Sequence, residues 1–402
     1  MNYGLAQIAA LTSEWLSLLF IVVSALGSSC ALGAAWATRR FIRQPASVPP
    51  TTWPDVSILK PLFRAEAQLS ENIETYFRQD YPGKTQFVFG VQDPGDSAIP
   101  IVRSLIARYP EVDIQLVVNA AAHGSNRKVS NLINMAEVAR YSVIVAADSD
   151  VAVGPNYLST LAATLTRPRV GAVTCLYRGL PSGGFWSRLS AMAVDDHFLP
   201  TTILGLALGL ARPCLGATIA LSRETLSRIG GFEGVANQLA DDYAIGEAVR
   251  TAGLKVVVSS MLVDHAFGER SPHEMFRHEL RWARTIFAVE PIGYVGSGLT
   301  HALPFALIGA ALRGFDGAGV AAILCALACR LFLKYRLTRQ FELPDPNYAL
   351  LCVRDMLSFA IYLTSFSSTK VAWRGQDFAV GRDGTLLATL SRGSAQHLME
   401  RR

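Results

Sequence analysis

Long apolar runs stand near the two ends of this chain, and a segment of mixed pattern separates them. Residues 15–38 carry no charged side chain and are long enough to cross a bilayer. In the last third, residues 291–312 and 317–333 are similarly apolar, and the loop 313–316 between them predicts the tip of a hairpin. The pattern therefore predicts an N-terminal anchor and two further membrane spans.

A fourth apolar stretch, residues 348–369, contains Arg354 and Asp355 near its start. Two arrangements satisfy that pair: a span in which both side chains face protein, or a helix lying in the membrane surface. The pattern leaves this choice open, and with it the side of the membrane on which the C-terminus lies.

Basic residues flank the apolar runs. Arg39, Arg40 and Arg43 follow the first run, and the positive-inside rule then places the next segment in the cytoplasm. Three further basic residues follow the predicted hairpin: Lys334, Arg336 and Arg339. We therefore expect a multi-pass protein of the cell inner membrane whose middle domain is cytoplasmic.

Between the apolar ends, short apolar runs alternate with helical patterns from residue 56 onward. The runs that predict strands are 56–59, 87–91, 114–118, 143–147, 171–176, 217–221 and 255–258. The segments that predict helices are 69–79, 98–108, 128–140, 157–165 and 243–251. This alternation predicts an α/β domain with a largely parallel sheet.

The segment just before the C-terminal apolar runs predicts an amphipathic helix. Ser271, Pro272 and Glu274 form a capping-box pattern with proline at the first helical position. Three arginines then fall on one side of the helix, and apolar residues supply a surface for the bilayer. These arginines are Arg277, Arg281 and Arg284. A basic face that only meets anionic headgroups is the simpler interpretation of the same pattern.

The predicted organisation has five parts. They are an N-terminal transmembrane anchor (1–44), a cytoplasmic α/β domain (45–270), an interfacial helix (271–290), transmembrane or re-entrant helices (291–370) and a tail (371–402).

Composition supports the membrane assignment and narrows the partners. Half of the residues are hydrophobic, 17% are charged and the mean hydropathy is +0.28. The net charge of +5 comes without a long Lys/Arg run, so we expect no nucleic-acid partner. A modest positive charge suits an anionic lipid surface or a phosphate-bearing substrate. The six cysteines have no metal-binding spacing, which favours a reducing compartment.

Asp148 and Asp150 follow the buried run 143–147, two residues apart. Open α/β sheets bind ligands at the carboxyl ends of their strands. An Asp-x-Asp pair there offers hard oxygen ligands to Mg²⁺ or Mn²⁺, which in turn can hold a nucleotide diphosphate. An ordinary aspartate-rich turn is the alternative interpretation of the pair taken alone.

Further carboxylates follow the same logic. Asp93 ends the run 87–91 but could simply begin a turn before Pro94. Asp241 and Asp242 open the helical pattern from residue 243, where a carboxylate can cap the helix or serve as a base. Because such positions recur in one α/β domain, a shared site is a better explanation than separate coincidences.

Taken in order, four motifs resemble those of family 2-like GT-A glycosyltransferases, and most closely the ceramide glucosyltransferase family. They are Asp93, Asp148-Ser149-Asp150, Asp241-Asp242-Tyr243 and His278-Glu279-Leu280-Arg281-Trp282, against D, DxD, (E/D)D and (Q/R)xxRW. The resemblance runs from about residue 56 to 384. Residues 73–82, 128–132 and 371–375 also support it.

The resemblance implies a GT-A fold, a Rossmann-like nucleotide-diphospho-sugar transferase domain, flanked by transmembrane helices. It implies inverting transfer of glucose or N-acetylglucosamine from a UDP-sugar to a membrane lipid. The chain also resembles a bacterial branch of the family that acts on hopanoids, through Trp373-Arg374-Gly375 and Asp383-Gly384. The predicted acceptor is therefore a hopanoid or a ceramide.

The resemblance also implies roles for individual residues. Asp242 would be the base, Arg281 would face the leaving group and Trp282 would lie beside the acceptor. Asp148 and Asp150 would hold Mg²⁺ or Mn²⁺. Donor contacts would come from Asp93, Lys128, Asp148, Asp241 and His278. His278 departs from the family's Gln or Arg, and Asp241 replaces a commoner Glu.

Two further patterns remain open. His265 is expected just after the last strand, either as an ordinary loop histidine or as a neighbour of the metal or diphosphate. Residues 195–197, Asp-Asp-His, lie in a helical run and are expected on the acceptor side. A processive polysaccharide synthase and a non-catalytic lipid-binding scaffold are the alternative functions.

Overall fold

A computed structural model describes residues 2–45, 47–66, 68–344, 346–368, 370–373, 376–380 and 385–388, with the backbone alone for 2–10 and for most of 370–388. Arg374, Gly375, Asp383 and Gly384, which carried part of the predicted family resemblance, lie outside these residues.

An eight-stranded mixed sheet forms the centre of the middle domain. Its strands are β1 Val56–Pro61, β2 Thr85–Val91, β3 Ile114–Val118, β4 Val143–Ala146, β5 Val151–Ala152, β6 Val170–Pro181, β7 Ile219–Ser222 and β8 Lys255–Phe267. The spatial order is β3-β2-β1-β4-β7-β6-β8-β5. Strands β1 to β4 are parallel, whereas β7 runs antiparallel to both β4 and β6.

Helices cover both faces of this sheet and bury two apolar clusters against it. They are α2 Leu69–Phe77, α3 Ala98–Arg108, α4 Arg127–Ala136, α5 Tyr157–Leu165, α6 Phe185–Ala193, α7 Leu199–Ala207, α8 Arg223–Arg228 and α9 Asp241–Thr251. A π-helical turn, Val194–Phe198, joins α6 to α7. The α1 helix, Asn2–Ile42, precedes the sheet.

The predicted α/β architecture is confirmed, with differences in strand direction and extent. The sheet is less parallel than expected, because β7 is inverted and the two-residue β5 pairs antiparallel with β8. Strand β8 extends to Phe267, so His265 lies inside a strand and the expectation of a loop position is wrong. Strands buried on both faces of a sheet are apolar throughout. Their sequences therefore do not show whether they run parallel or antiparallel to their neighbours.

The interfacial segment and the apolar C-terminal third form α10 Pro272–Val289, α11 Pro291–Ser297, α12 Ala302–Leu312, α13 Gly317–Phe341 and α14 Leu351–Ser365. Among the described residues, Leu11–Ile42 and Gly317–Phe341 are long and apolar enough to cross a membrane. A short antiparallel sheet, β9 Lys370–Trp373, β10 Gln376–Val380 and β11 Leu386–Ala388, follows α14.

Residues 291–312 do not form the straight span that their composition predicts. A 3-10 turn, Gly298–Thr300, separates α11 from α12, and the two helices meet at 61°. The ring of Tyr362 packs so closely on Gly298 that a Cβ there would lie 2.4 Å from the phenol oxygen. Helix α12 alone is about 16 Å long, half of the hydrocarbon thickness.

Helix α14 has 15 residues, which is short for a span of about 20 residues. Arg354 and Asp355 at its start are buried and face protein. Asp355 Oδ1 lies 2.6 Å from an Arg330 guanidinium nitrogen on α13, and Arg354 is paired with Glu279 on α10. The two charges that left this segment undecided are therefore neutralised inside the protein.

Candidate active site

The carboxyl end of β4 carries Asp148 and Asp150, as the sequence predicts. Lys128, in the first turn of α4, lies with its Nζ 2.7 Å from Asp148 Oδ1 and 3.5 Å from Asp241 Oδ2. Burial lowers the pKa of Lys128, but the charges of the neighbouring carboxylates outweigh it and hold that pKa above its ordinary value. The ammonium group is therefore positive and placed between two acidic motifs.

Asn126 explains how Lys128 and Asp241 come together. It caps α4 by accepting a hydrogen bond from Val129 N at 3.1 Å. Its Nδ2 donates to Gln238 O at 2.8 Å and lies 3.4 Å from Asp241 Oδ1. One cap residue thus fixes the start of α4 and the segment before α9.

Asp242 is the second residue of α9 and is half-buried, and both of its carboxylate oxygens accept backbone hydrogen bonds. Gly216 N donates to Oδ2 and Tyr243 N donates to Oδ1, each at 2.8 Å. Burial and the neighbouring charge of Asp241 raise the pKa of Asp242 to about 6, although Lys128 and the backbone donors oppose the shift. A carboxylate with a pKa near neutrality can accept a proton in a reaction at neutral pH.

Gly216 lies where these side chains converge. A Cβ at this position would be 2.9 Å from Lys128 Nζ, 3.1 Å from Asp148 Oδ2 and 3.5 Å from Asp242 Oδ2. The sequence reasoning missed this residue. Its signal is a glycine beside the apolar run 217–221, which often marks a close backbone approach.

Asp150 lies against His265, with 3.5 Å between Oδ2 and the histidine Nε2. Asp150 Oδ1 and His265 Nδ1 are buried, and neither has a hydrogen-bond partner among the described residues. A buried carboxylate oxygen without a partner suits a hard cation. Among the residues that the structure describes, no three His, Cys, Asp or Glu side chains form a complete metal-binding cluster. These residues fit a divalent cation that takes its remaining ligands from phosphate or water.

Lys60, at the end of β1, is a second residue that the sequence reasoning missed. Its Nζ donates to Asp148 O at 2.8 Å and to Val151 O at 3.3 Å, and lies 3.8 Å from the Tyr76 ring centroid. Burial lowers the pKa of Lys60 to about 7, while the charges of Asp150 and Asp148 oppose the shift. A lysine inside a buried strand is the signal that could have identified it.

Helix α10 brings Arg281 and Trp282 to this edge of the sheet. Ser271 caps the helix as predicted, accepting from Glu274 N at 3.2 Å. Burial lowers the pKa of Arg281, and the charges of Asp150 and Asp148 oppose the shift, so the guanidinium lies within electrostatic range of both aspartates. The arginine stripe is therefore divided, since Arg277 is exposed and Arg281 is half-buried.

Trp282 belongs to an aromatic cluster above the sheet edge. Its ring lies 4.5 Å from His278, 5.6 Å from His265, 6.1 Å from Phe267 and 6.3 Å from Tyr177, measured between centroids. His278 Nδ1 lies 2.5 Å from Glu269 Oε1. Burial lowers the pKa of His278, although Glu269 opposes the shift. His278, the residue that departs from the family motif, thus packs against the Trp282 ring and pairs with Glu269.

Asp93 makes the turn that its sequence context also allowed. Its Oδ1 accepts from Gly95 N at 2.8 Å, immediately after β2. In the described part of the chain, no contact joins Asp93 directly to the other predicted carboxylates.

The acidic pair before His197 contacts strand β6 and helix α13. Asp195 accepts a hydrogen bond from Gly179 N at 2.7 Å, and Asp196 lies 2.7 Å from Lys334 on α13. The ring of His197 stacks on His301 at 4.4 Å. Asp195 therefore fixes this turn to β6, whereas Asp196 and His197 join it to α13 and to the residue before α12. The turn thus connects these helices to the domain built on the eight-stranded sheet, the sheet domain.

The fold of this protein is similar to that of a solved enzyme. A mannosyltransferase from Pyrobaculum calidifontis, solved in complex with GDP-Man and Mn²⁺, has a similar structure, with a TM-score of 0.56 and 22% identity. The alignment covers 87% of this chain and 99% of that one. The middle domain has the GT-A fold, as predicted.

Sequence comparison assigns the chain to a single family among those that share this fold. A model of glycosyl transferase family 21 matches residues 18–386, and the chain belongs to that family. Ceramide glucosyltransferase 1 from Caenorhabditis elegans is 22% identical over 349 residues, which cover 84% of this chain and 74% of the relative. A ceramide glucosyltransferase from Candida albicans is 35% identical over 114 residues, 26% of this chain and 21% of the relative. The predicted similarity to ceramide glucosyltransferases is confirmed, and the chain is a glycosyltransferase.

Proposed function

We propose that this protein transfers glucose or N-acetylglucosamine from a UDP-sugar to the hydroxyl of a membrane lipid, a hopanoid or a ceramide, with inversion at the anomeric carbon. The observation that carries the proposal is the convergence of Asp148, Lys128 and Asp242 around Gly216, with Arg281 in electrostatic range of Asp148. Metal-binding carboxylates, a base and a cation for the leaving group are what glycosyl transfer from a nucleotide diphosphate requires.

Asp242 is the proposed base. It removes the proton of the lipid hydroxyl while the oxygen forms a bond to the anomeric carbon. The bond from that carbon to the diphosphate oxygen breaks, and its electron pair leaves with UDP. The raised pKa of Asp242, about 6, supports this role because the group is ionised at neutral pH yet basic enough to take a proton.

Arg281 and Lys128 are the proposed charges around the diphosphate. Arg281 would stabilise the negative charge that develops on the departing UDP. Because the arginine side chain is partly buried, its attraction to that charge is stronger than it would be in water. Asp148 and Asp150, with His265 beside them, would hold Mg²⁺ or Mn²⁺, which supplies Lewis-acid assistance to the leaving group. The solved mannosyltransferase of the same fold contains Mn²⁺, which supports this choice of metal.

The remaining donor contacts are proposals that follow the family motifs. Asp93 would meet the uracil at the end of β2, and Asp241 would position Lys128 through their 3.5 Å contact. His278 would act on the donor through Trp282, whose ring it supports at 4.5 Å. Trp282 would line the acceptor side.

The lipid acceptor is proposed from the relatives and from the architecture. The similar curated proteins are ceramide glucosyltransferases. Two candidate spans lie on either side of the catalytic domain in sequence, and α10 carries Arg281 from that domain towards the apolar helices. A hydroxyl at the membrane surface would reach such a site without leaving the bilayer. We propose a multi-pass inner-membrane protein with a cytoplasmic catalytic domain.

The direct test is sugar transfer from radiolabelled UDP-glucose and UDP-N-acetylglucosamine into lipid, by membranes containing wild-type protein or Asp242→Asn. The expected loss in kcat for the variant is roughly 10²- to 10⁴-fold. Glu111→Gln, which changes an exposed carboxylate, is the matched control and should retain full activity. Equal transfer by wild type and Asp242→Asn would disprove the base assignment. Failure of wild type with every UDP-sugar would favour a lipid-binding scaffold.

The metal assignment has its own test. EDTA should abolish transfer, and Mn²⁺ or Mg²⁺ should restore it. Mn²⁺ should also raise the melting temperature of the UDP-bound wild type, and Asp150→Ala should remove that increase. Full activity in EDTA would exclude the metal role for Asp148 and Asp150.

A further inference from the structure

The C-terminal ends of α1 and α13 lie side by side, and between them is a cavity of about 470 Å³ that is open to solvent. It is lined by Arg39, Ile42, Arg43, Arg336 and Gln340. Arg39 lies in the last turn of α1 and Arg43 directly follows that helix, while Arg336 and Gln340 are one turn apart on α13, so both helix ends present side chains to the same space.

The charges of this cavity are not balanced by the protein. None of its arginines forms an ion pair with a carboxylate among the described residues. Arg336 Nε and Gln340 Oε1 are buried, and in the same residues neither has a hydrogen-bond partner. The side chains of Arg39 and Arg43 are exposed beside the buried Arg336 Nε, and an anion bound among them would accept a hydrogen bond from that unpaired donor.

The position of the cavity indicates where that anion comes from. Both helices are candidate membrane spans, and the cavity is at the end where each leaves its apolar segment. Trp36 is exposed one turn before Arg40, whose guanidinium lies 6.0 Å from the indole centroid. Exposed tryptophan at such a level is typical of the headgroup region. Phe332 and Tyr335 on α13 are also exposed and would face acyl chains.

The cavity is held in shape by a contact with the sheet. Arg178 on β6 donates through Nη1 to Phe341 O at 2.6 Å and to Glu342 O at 2.9 Å, at the end of α13. The same guanidinium lies 2.5 Å from Asp264, the neighbour of His265 on β8. A ligand at this point would therefore meet a preorganised site and not a pair of loose helix ends.

We propose that this cavity binds the phosphate of an anionic phospholipid at the membrane surface. Arginine provides planar, paired donors that suit phosphate oxygens. Basic pockets between membrane helices are suited to anionic headgroups. The proposal is independent of the sugar-transfer mechanism and rests on different residues.

The test is native mass spectrometry of the purified full chain in detergent, titrated with phosphatidylglycerol or with phosphatidylcholine of the same acyl chains. Wild type should retain one phosphatidylglycerol. The triple variant Arg39→Gln/Arg43→Gln/Arg336→Gln should bind it roughly a hundredfold more weakly. The control Lys84→Gln/Arg103→Gln/Arg167→Gln removes the same net charge from exposed positions of the sheet domain and should bind as wild type.

Other outcomes would overturn the proposal. Equal losses in the two triple variants would mean that net charge alone attracts the lipid. Equal retention of phosphatidylcholine would mean that the negative headgroup is not recognised, and competition by inorganic phosphate at the affinity of the lipid would assign the cavity to free phosphate. Arg336→Lys keeps the charge but removes the Nε donor, so it should weaken binding about tenfold even if the triple variant folds poorly; wild-type affinity in this variant would also contradict the proposal.

Discussion

At Gly216 the backbone itself contributes to the active site. Its N–H donates to Asp242 at 2.8 Å, and the absence of a side chain leaves room for Lys128 Nζ. The same space is bounded by Asp148, so a single added carbon would meet a cation and two carboxylates. The residue is therefore constrained by chemistry as well as by packing.

Gly216→Ala should lower kcat/KM for sugar transfer by roughly a hundredfold, because the new methyl group displaces Lys128 from Asp148. The melting temperature should change little, since the tip of a flexible lysine can move aside. Gly154→Ala is the matched control, because a Cβ there meets nothing within 4 Å. Steady-state kinetics of both variants check the prediction, and wild-type kinetics for Gly216→Ala would contradict it.

The pKa of Asp242 predicts the acidic side of the pH profile. The base must be ionised, so kcat/KM should fall about tenfold per pH unit below a pH of about 6. The charges that face Asp242 are Asp241, which raises its pKa, and Lys128, which lowers it. Lys60, with a pKa of about 7, changes charge only at higher pH. A profile that stays flat from pH 8 to 5 would be incompatible with this base.

The raised pKa of Asp242 also predicts how the stability of the folded protein depends on pH. The folded-state pKa of Asp242 lies above its ordinary value, so protonation favours the folded state and this contribution disappears as pH rises through about 6. Asp242→Asn should therefore not be less stable than wild type at pH 8. Thermal unfolding at pH 5 and pH 8 measures the difference and separates loss of activity from loss of fold.

Helix α10 is the element on which the site depends most, because it carries Arg281 and Trp282. It is fixed to α14 by Arg354, whose two terminal nitrogens each lie 2.8 Å from a Glu279 oxygen. Arg354 also donates to Leu189 O on α6 at 3.1 Å. A buried, bidentate pair of this kind sets the position of a helix more strictly than apolar packing does.

Glu279→Gln and Arg354→Met should each destabilise the protein by about 3–5 kcal/mol, because each leaves a charge buried without its partner. The double variant should lose less than the sum of the single variants. Thermal or denaturant unfolding in detergent gives the comparison. Arg108→Met, which breaks the exposed pair with Glu74, is the control and should cost less than about 1 kcal/mol. Additive losses in the double variant would show that the pair is not coupled.

At the scale of the whole molecule, α1, α12 and α13 pack together, and the buried pair of Lys334 on α13 with Asp196 joins them to the sheet domain. Ser13 donates to Leu312 O at 3.1 Å and Ser17 to Gly309 O at 2.8 Å, close to the loop between α12 and α13. The cavity between the ends of α1 and α13 lies at the other end of the same helices. The loop at Phe315 and the sheet domain are therefore expected on opposite sides of the membrane.

Cysteine labelling tests this arrangement. In a background with Cys30, Cys325, Cys329 and Cys352 replaced by alanine, a membrane-impermeant maleimide should label Phe315→Cys in right-side-out vesicles. Arg103→Cys, on the sheet domain, should react only in inverted vesicles. Labelling of both positions from the same side would contradict a hairpin that crosses the bilayer and would favour a re-entrant one.

The features that the sequence determined by itself are local ones. An uncharged run of sufficient length predicts α1, and the Ser271-Pro272 cap correctly begins α10, because both depend on neighbouring residues. Asp148 and Asp150 were placed correctly at the end of β4, since a short buried strand ends where polar residues resume. The order of the motifs was sufficient to predict the GT-A fold and its family, both of which are confirmed.

Tertiary structure alone decided the features that join distant residues. The approach of Gly216 to Asp242 spans 26 positions, and that of Lys60 to the Asp148 carbonyl spans 88. The inverted direction of β7, the pairing of His265 with Asp150 and the bend at Gly298 arise in the same way. Periodicity records only which face of an element is buried, whereas these contacts depend on which other element packs there, and this is settled when the whole chain folds.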